Sequence, residues 1–427
     1  MDDKENIPME YMEILDNFHM NLFRLNSFIE SVEFMISVDA KHILESYTDE
    51  LLAAVVHYNA ENKQDAFVLE EMKKKLDNLN IPTKLDADNL DETLMKFTDD
   101  NYINKQIKIA KKVQMARSKS NHLYESSLIT LITYFELLVG SLVKEYLKIN
   151  PYILNINDKK LTYELLAEFD SIDAALEYIK EKEIEKLMFK GFNNWMTFIE
   201  NKIGIKNKSL HENKDEINEI INRRHLLVHS GGIVNGIYLK KVRFAESFGV
   251  RLGDKVEVDE KYITDSLEIV KRYGNLLGIC IWKSAKKESE YRLAYLLKSC
   301  IKFMEQEEYL LARDCSVLLE SETIDEDLYL LAKINYWQTY KWRGEFETIK
   351  EEVENFDFST KAKKFEIAQL ILLDKYEEFM DYVNKNGLPE GIEVNDIKTW
   401  PLFKKLRLQD SFSSFITNLG RKVTENL

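Results

Sequence analysis

A seven-residue segment of the chain groups two arginines and two histidines at helical spacing. Residues 223–229 read RRHLLVH, in which four residues separate Arg224 from His229. His225 lies one helical turn before His229, so the two imidazoles project from nearly the same face of an α-helix. Histidine exchanges a proton near neutral pH, and arginine carries a permanent charge on a donor fork that fits phosphate oxygens. Together these side chains are what metal-free cleavage of an RNA phosphodiester needs, so this segment is the candidate catalytic site.

The residues after this segment predict how its helix ends. Gly231 and Gly232 follow directly, at the place where a left-handed C-terminal cap would stand. Five of the 14 glycines lie between residues 231 and 253. In the same region GIYLKKVRF and KVEVDE alternate enough to predict a short β-hairpin or an ordered loop.

One further helix is predicted before the segment and another after it. Residues 122–149 carry two apolar stripes, so this helix is covered on two sides, either in the centre of a bundle or between a core and a second protomer. Residues 262–286 have the periodicity of a closing helix.

The arrangement resembles the HEPN superfamily, the compact helical domains found among RNA-cleaving toxins, phage-defence effectors and CRISPR-associated nucleases. The family's motif is an arginine, a polar residue, a short spacer and a histidine, which Arg224, His225, residues 226–228 and His229 match. The resemblance covers about residues 120–286, with the long helix, the motif helix, the glycine-containing turn and the closing helix in the family's order. A histidine stands after the arginine where asparagine is frequent, so two histidines compete for the catalytic role.

The resemblance implies a metal-independent endoribonuclease that acts as a homodimer, in which the motif helices of two protomers face one cleft. His229 would be the general base or acid at the ribose 2′-hydroxyl or the leaving 5′-oxygen, and Arg224 would hold the scissile phosphate. His225 would orient His229 or Arg224, or share in the proton transfer. Arg223 would be a further phosphate contact. No cofactor and no metal are implied, and the expected setting is phage defence or a toxin-type system.

Two other interpretations stay open from the residues alone. Some members of the superfamily keep the fold without cleaving RNA and act as nucleotide-binding, antitoxin-like or regulatory partners. Alternatively, the segment is the basic end of a helix in an unrelated protein, where its histidines interact with the negative end of the helix dipole.

The composition predicts an all-α fold. Glycine (14) and proline (5) are scarce among 427 residues, whereas a β-sandwich or barrel needs frequent turn residues. Hydrophobic residues at 45% and charged residues at 31% fit a folded protein. The net charge of −15 opposes indiscriminate binding to nucleic acid or to an anionic membrane.

One stretch departs from this acidic balance. Residues 101–120 carry basic residues and no acidic one. Basic residues that repeat at three to four positions share one helix face, which predicts either a phosphate-contacting ridge or an ordinary solvated face. The candidate RNA-binding residues of this stretch are Lys105, Lys108, Lys111, Lys112, Arg117 and Lys119.

The last third of the chain is predicted to consist of helix pairs. Each of three pairs contains an apolar helix, a short charged turn, an aromatic residue and a second helix, and the aromatic residues are Tyr309, Phe346 and Tyr376. This anatomy resembles tetratricopeptide-type helical hairpins. Stacked hairpins offer a surface for a protein or peptide partner. The alternative is a helical extension that only supports the middle domain.

These patterns predict three consecutive parts. They are an N-terminal helical region (1–120), a HEPN domain (121–286) and a tetratricopeptide-like array (287–427).

The expected compartment is the cytoplasm. The cysteines lack the spacing of a disulfide framework or a zinc site, which predicts buried thiols at Cys280, Cys300 and Cys315. The acidic N-terminus is unlike a signal peptide, and the most apolar stretch, residues 127–143, is short for a bilayer span. No membrane anchor is expected.

Overall fold

The computed structural model describes residues 3–62, 100–154, 162–242 and 250–425. Within these ranges the chain forms helices joined by short connections and contains no β-strand. The all-α class predicted from the composition is therefore confirmed.

The helices follow one another along the whole described chain. In order, they are α1 (Asp3–Asn62), α2 (Asp100–Ile149), α3 (Tyr163–Leu166), α4 (Ile172–Phe189), α5 (Phe192–Phe198), α6 (Lys208–Glu212), α7 (Lys214–Ser230), α8 (Gly236–Lys241), α9 (Glu260–Ala285), α10 (Glu290–Glu305), α11 (Tyr309–Glu320), α12 (Glu326–Trp342), α13 (Lys350–Asn355), α14 (Lys363–Leu372), α15 (Tyr376–Asn386), α16 (Val394–Thr399) and α17 (Phe412–Glu425). Short 3-10 turns lie at Pro151–Leu154, Phe346–Thr348, Pro401–Phe403 and Leu406–Leu408, and a π-helical turn lies at Ile199–Ile203.

The chain divides into two compact units, each assembled from segments that are distant in sequence. The motif unit comprises Phe18–Glu136 and Lys214–Val270, and the array unit comprises Met1–Asn17, Leu137–Asn213 and Lys271–Leu427. Helices α1, α2 and α9 each contribute to both units. This division differs from the three consecutive domains predicted from the sequence, whose boundaries stay a prediction.

Helix α2 joins the basic stretch and the predicted apolar helix in one uninterrupted element. Both predicted apolar stripes are largely buried, and the side chains that are at most 2% exposed are Leu128, Leu131, Ile132, Phe135, Leu138, Val139, Leu142 and Val143. By length and composition, residues 118–149 could cross a membrane, and half of their most apolar window is buried inside the protein. The absence of a membrane anchor therefore stays a prediction.

The predicted β-hairpin is wrong for the described residues, because its first half forms helix α8. Tyr238 and Val242, four residues apart, are both buried, whereas Ile237 is 67% exposed. A strand would place Lys240 on the same face as Tyr238 and Val242, but Lys240 is exposed, so the burial pattern is that of a helix. Asn235 caps the helix, because its side-chain oxygen accepts hydrogen bonds from the backbone N–H groups of Ile237 and Tyr238.

The second half of the predicted hairpin forms an ordered loop, which is the alternative that the sequence predicts for this region. An isolated antiparallel bridge joins Ile233 to Lys255. The backbone N–H of Val256 also donates to the carbonyl of Gly232 at 2.9 Å. The part of the prediction that falls on residues 243–249 lies outside the described residues.

The array unit contains the succession of helices predicted after residue 287. Its three turns share one backbone geometry, because a residue with left-handed φ precedes each predicted aromatic by two positions: Glu307 (61°) before Tyr309, Gly344 (75°) before Phe346, and Asp374 (60°) before Tyr376. In each turn the next backbone N–H donates to the carbonyl five residues earlier, at 2.8, 2.9 and 2.9 Å. The hairpins therefore repeat at the level of the turn.

The thiols lie in the array unit and form no disulfide. Cys300 and Cys315 are buried as predicted, and Cys280 is half-buried. Burial raises the pKa of Cys280 and of Cys300 to about 12, so both thiols stay protonated at neutral pH.

Candidate active site

Helix α7 ends as the two glycines predict. Gly231 and Gly232 have φ angles of 57° and 80°, which a residue without a Cβ atom adopts at little cost. The N–H of Gly232 donates to the carbonyl of Leu226, six residues earlier, at 3.0 Å, so the glycine turn folds back onto the last turn of the helix. The helix therefore stops at Ser230, one residue after His229.

Among the described residues, the guanidinium of Arg224 makes one ion pair and no hydrogen bond. Its Nη2 lies 3.9 Å from Oε2 of Glu136, which is close enough for an ion pair and too long for a hydrogen bond. Its Nε is buried and has no hydrogen-bond partner in the described part of the chain. The side chain is 18% exposed. Arg224 thus brings unused donors to a partly open position.

The rings of His225 and His229 lie side by side near the end of helix α7. Their centroids are 6.0 Å apart and their planes differ by 20°. His229 is exposed and His225 is half-buried. Burial lowers the pKa of His225 below 6.5, and the positive charges of Arg224 and Lys241 lower it further. His225 is therefore neutral at pH 7 and can accept a proton.

Sequence reasoning missed two charged residues of this site. Glu136 lies on helix α2. The sequence signal that could have indicated it is a carboxylate within an otherwise apolar stretch. Lys241 comes from the end of helix α8, which Asn218 of helix α7 fixes by a hydrogen bond from its Nδ2 to the Lys241 carbonyl at 2.7 Å. No spacing in the sequence indicates Lys241, because its approach to His225 depends on the tertiary fold.

Arg223 occupies the opposite environment to Arg224. Its side chain is 9% exposed, and its Nε donates to Oε1 of Glu219 at 2.7 Å. Its Nη1 donates to the carbonyl of Glu257 at 2.9 Å, and its guanidinium lies 4.1 Å from the centre of the Tyr262 ring. Two of its three nitrogens, Nε and Nη1, therefore donate hydrogen bonds inside the protein. These contacts give Arg223 a structural role, and its contact with RNA stays a prediction.

A buried polar network extends from Arg223 and holds helix α7 in place. The hydroxyls of Tyr238 and Tyr262 each donate to a carboxylate oxygen of Glu219 at 2.7 Å. Tyr238 belongs to helix α8 and Tyr262 to helix α9, so one carboxylate ties three helices together. The network therefore fixes the position of helix α7, which carries the exposed His229.

The structure describes only part of the predicted basic ridge. All six residues lie on helix α2. Lys119 is exposed and pairs with Asp39 at 3.6 Å, and Lys112 is half-buried. The side chains of the other four residues, Lys105, Lys108, Lys111 and Arg117, lie outside the described residues. The ridge therefore stays a prediction.

No group of three or more His, Cys, Asp or Glu side chains that could hold a metal ion is found in residues 3–62, 100–154, 162–242 and 250–425.

Comparisons with protein-family models, with curated proteins and with solved structures find no match. The resemblance to the HEPN superfamily therefore depends on the residues of the motif and on the helices around them.

Proposed function

We propose that this protein is a metal-independent endoribonuclease of the HEPN type that acts as a homodimer. One observation supports the proposal: the rings of His225 and His229 lie 6.0 Å apart at the end of helix α7, directly after Arg224, whose guanidinium makes no hydrogen bond among the described residues. A proton-exchanging pair beside an available permanent cation is what in-line transfer at an RNA phosphate requires.

The proposed reaction is attack of the ribose 2′-hydroxyl on the adjacent phosphorus. One imidazole removes the hydroxyl proton while the new oxygen–phosphorus bond forms, and the bond to the 5′-oxygen breaks as that oxygen takes up a proton. His229, at the spaced position of the motif, carries the base or acid role, and His225 orients it or shares the transfer. Arg224 stabilises the charge that grows on the phosphate oxygens. The products are a 2′,3′-cyclic phosphate, or its hydrolysed form, and a 5′-hydroxyl.

Dimerisation would complete the cleft by bringing two motif helices face to face. Exposed apolar side chains around the motif support this step, because Val228 is 46% exposed and Ile237 is 67% exposed. A second copy that covers them would bury apolar surface next to His229. Solution mass measurement tests this step, and a strictly monomeric active species contradicts it.

The direct test is cleavage of end-labelled RNA in excess EDTA. Replacing His229 or Arg224 by Ala is expected to lower the rate by about 10²- to 10⁴-fold, the typical contribution of one positioned proton-transfer or charge-stabilising group. His211→Ala is the matched control, since His211 is an exposed histidine of helix α6 in the array unit. The assignment is wrong if wild type cuts no faster than His229→Ala with any RNA tested.

The repeated turns of the array unit favour a second candidate, a non-cleaving HEPN protein with a tetratricopeptide-like array that binds a protein or peptide. Expression separates the two candidates. A wild type that arrests growth, with Arg224→Ala relieving the arrest, favours a cytoplasmic toxin or phage-defence nuclease. If cells grow equally well with the wild type and with Arg224→Ala, and the wild type cleaves no RNA in EDTA, the binding protein is favoured.

A further inference from the structure

Glu136 interrupts a buried apolar stripe of helix α2. Ile132 lies four residues before it and Val139 three residues after it, so the three share one helix face. Ile132 and Val139 are at most 1% exposed, whereas the side chain of Glu136 is 31% exposed. An apolar side chain would fit this position without the cost of removing a carboxylate from water. Packing therefore does not explain why this position carries a carboxylate.

The group opposite this carboxylate is the motif arginine. Oε2 of Glu136 lies 3.9 Å from Nη2 of Arg224. Burial raises the pKa of Glu136, and the charge of Arg224 opposes that rise without cancelling it. The ion pair thus does not fully offset the cost of burying the acid. This is the balance expected where a charge is retained for function and not for stability.

We propose that Glu136 is the positioning residue for Arg224. The carboxylate attracts the guanidinium through its charge, at a distance that leaves the N–H donors free for phosphate oxygens. Arg223 illustrates the difference, because its Nε donates to Glu219 at 2.7 Å and its Nη1 donates to the carbonyl of Glu257 at 2.9 Å. The inference deepens the proposed ribonuclease function, since the phosphate that Arg224 would hold is that of the RNA.

The kinetic test uses the isosteric variant Glu136→Gln in the full-length chain. The expected result is a fall in kcat of about 10²-fold, because a small misplacement of a positioned group costs about that much. Binding of an uncleavable 2′-O-methyl RNA is expected to be as tight as in wild type or tighter, since a negative charge near the phosphate is removed. A merely structural role would weaken both quantities, and an unchanged kcat overturns the proposal.

The matched control is Glu125→Gln, which changes a half-buried glutamate of the same helix about three turns earlier. It is expected to leave kcat and RNA binding unchanged. In an Arg224→Gln background, Glu136→Gln is expected to cause no further loss of kcat, because a positioning residue acts through the arginine it positions. An additional loss in that background of the same size as in wild type overturns the proposal.

A second measurement keeps this inference apart from the proposed function. In protein labelled with ¹⁵N-arginine, the Nε–H signal of Arg224, identified by its absence in Arg224→Gln, is expected to move in Glu136→Gln and to stay in place in Glu125→Gln. An unmoved signal in Glu136→Gln overturns the role of Glu136 even if the wild type cleaves RNA. A wild type that cleaves no RNA overturns the ribonuclease proposal, while the signal still decides whether Glu136 positions Arg224.

Discussion

At the residue scale, the two histidines of the motif differ in their electrostatic surroundings. His225 is half-buried and lies near the positive charges of Arg224 and Lys241, all of which oppose its protonation. His229 is exposed at the end of the helix. A neutral His225 beside an exposed His229 gives the proposed reaction one imidazole that stays unprotonated at pH 7, which suits a base or an orienting partner.

The influence of Lys241 on His225 can be measured directly. Replacing Lys241 by Gln removes one positive charge that disfavours the imidazolium, so the pKa of His225 is expected to rise towards its ordinary value of 6.5. A titration of the imidazole Cε1 proton by NMR gives this pKa. Lys240→Gln is the control, because the neighbouring lysine is also exposed and does not contribute to the lowered pKa. Equal pKa values in the two variants would contradict the assignment.

At the scale of elements, helix α7 carries one arginine that bonds within the fold and next to it the arginine of the proposed site. Replacing Arg223 by Gln leaves the buried carboxylate of Glu219 without its cation, which is expected to lower the free energy of unfolding by about 3–5 kcal/mol. Replacing Arg224 by Gln removes a loose pair at 3.9 Å and is expected to cost less than about 1 kcal/mol. Urea denaturation of both variants measures the difference, and the opposite order would contradict it.

The sequence predicts those parts of the site that local structure determines. The helical spacing of His225 and His229 and the glycine cap follow from periodicity and from the φ preferences of glycine. Arg223 and Arg224 are indistinguishable by residue type, and only the packing of helix α7 separates the buried side chain from the available one. Their roles therefore could not be assigned before the fold was known.

The error at helix α8 has a similar cause. The alternation in GIYLKK predicts a strand, but Asn235 caps a helix and Tyr238 packs with Val242 one turn later. In a six-residue segment the helical and strand periods are hard to separate, so burial in the tertiary structure decides which of the two forms. The C-terminal end of helix α2 and both ends of helix α9 lie within two residues of their predicted positions because their apolar periodicity persists over many turns. Helix α2 begins at Asp100 and not at the predicted residue 122.

At the scale of the whole molecule, the net charge of −15 and a proposed RNA substrate are compatible. A negative average field repels nucleic acid that meets the surface at random, while local cations still attract a phosphate at short range, since screening confines charge effects to about 10 Å. Arg224 and Lys241 provide such cations beside the histidines. The acidic total thus favours selective over indiscriminate binding.

The array unit contains a pair of carboxylates that links the beginning of the chain to helix α2. Glu10 of helix α1 and Glu145 of helix α2 share Lys148, whose Nζ lies 3.0 Å from the first carboxylate and 2.7 Å from the second. Glu145 is 5% exposed. Burial and the neighbouring Glu10 raise the pKa of Glu145 to about 7, and the pKa of Glu10 is lowered.

This pair makes the stability of the protein depend on pH. Between pH 4.5, the ordinary pKa of glutamate, and about pH 7, the folded state binds a proton at Glu145 that the unfolded state has released. The free energy of unfolding is therefore expected to fall as the pH rises through this window and to level off above it. Glu145→Gln, which cannot titrate, is expected to lose this decline in urea denaturation series at pH 5 and 7.5. Glu181→Gln, an exposed partner of Lys144, is expected to keep the decline of wild type. If Glu145→Gln declines as steeply as wild type, the proton is bound elsewhere, because the two chains differ in one titrating group.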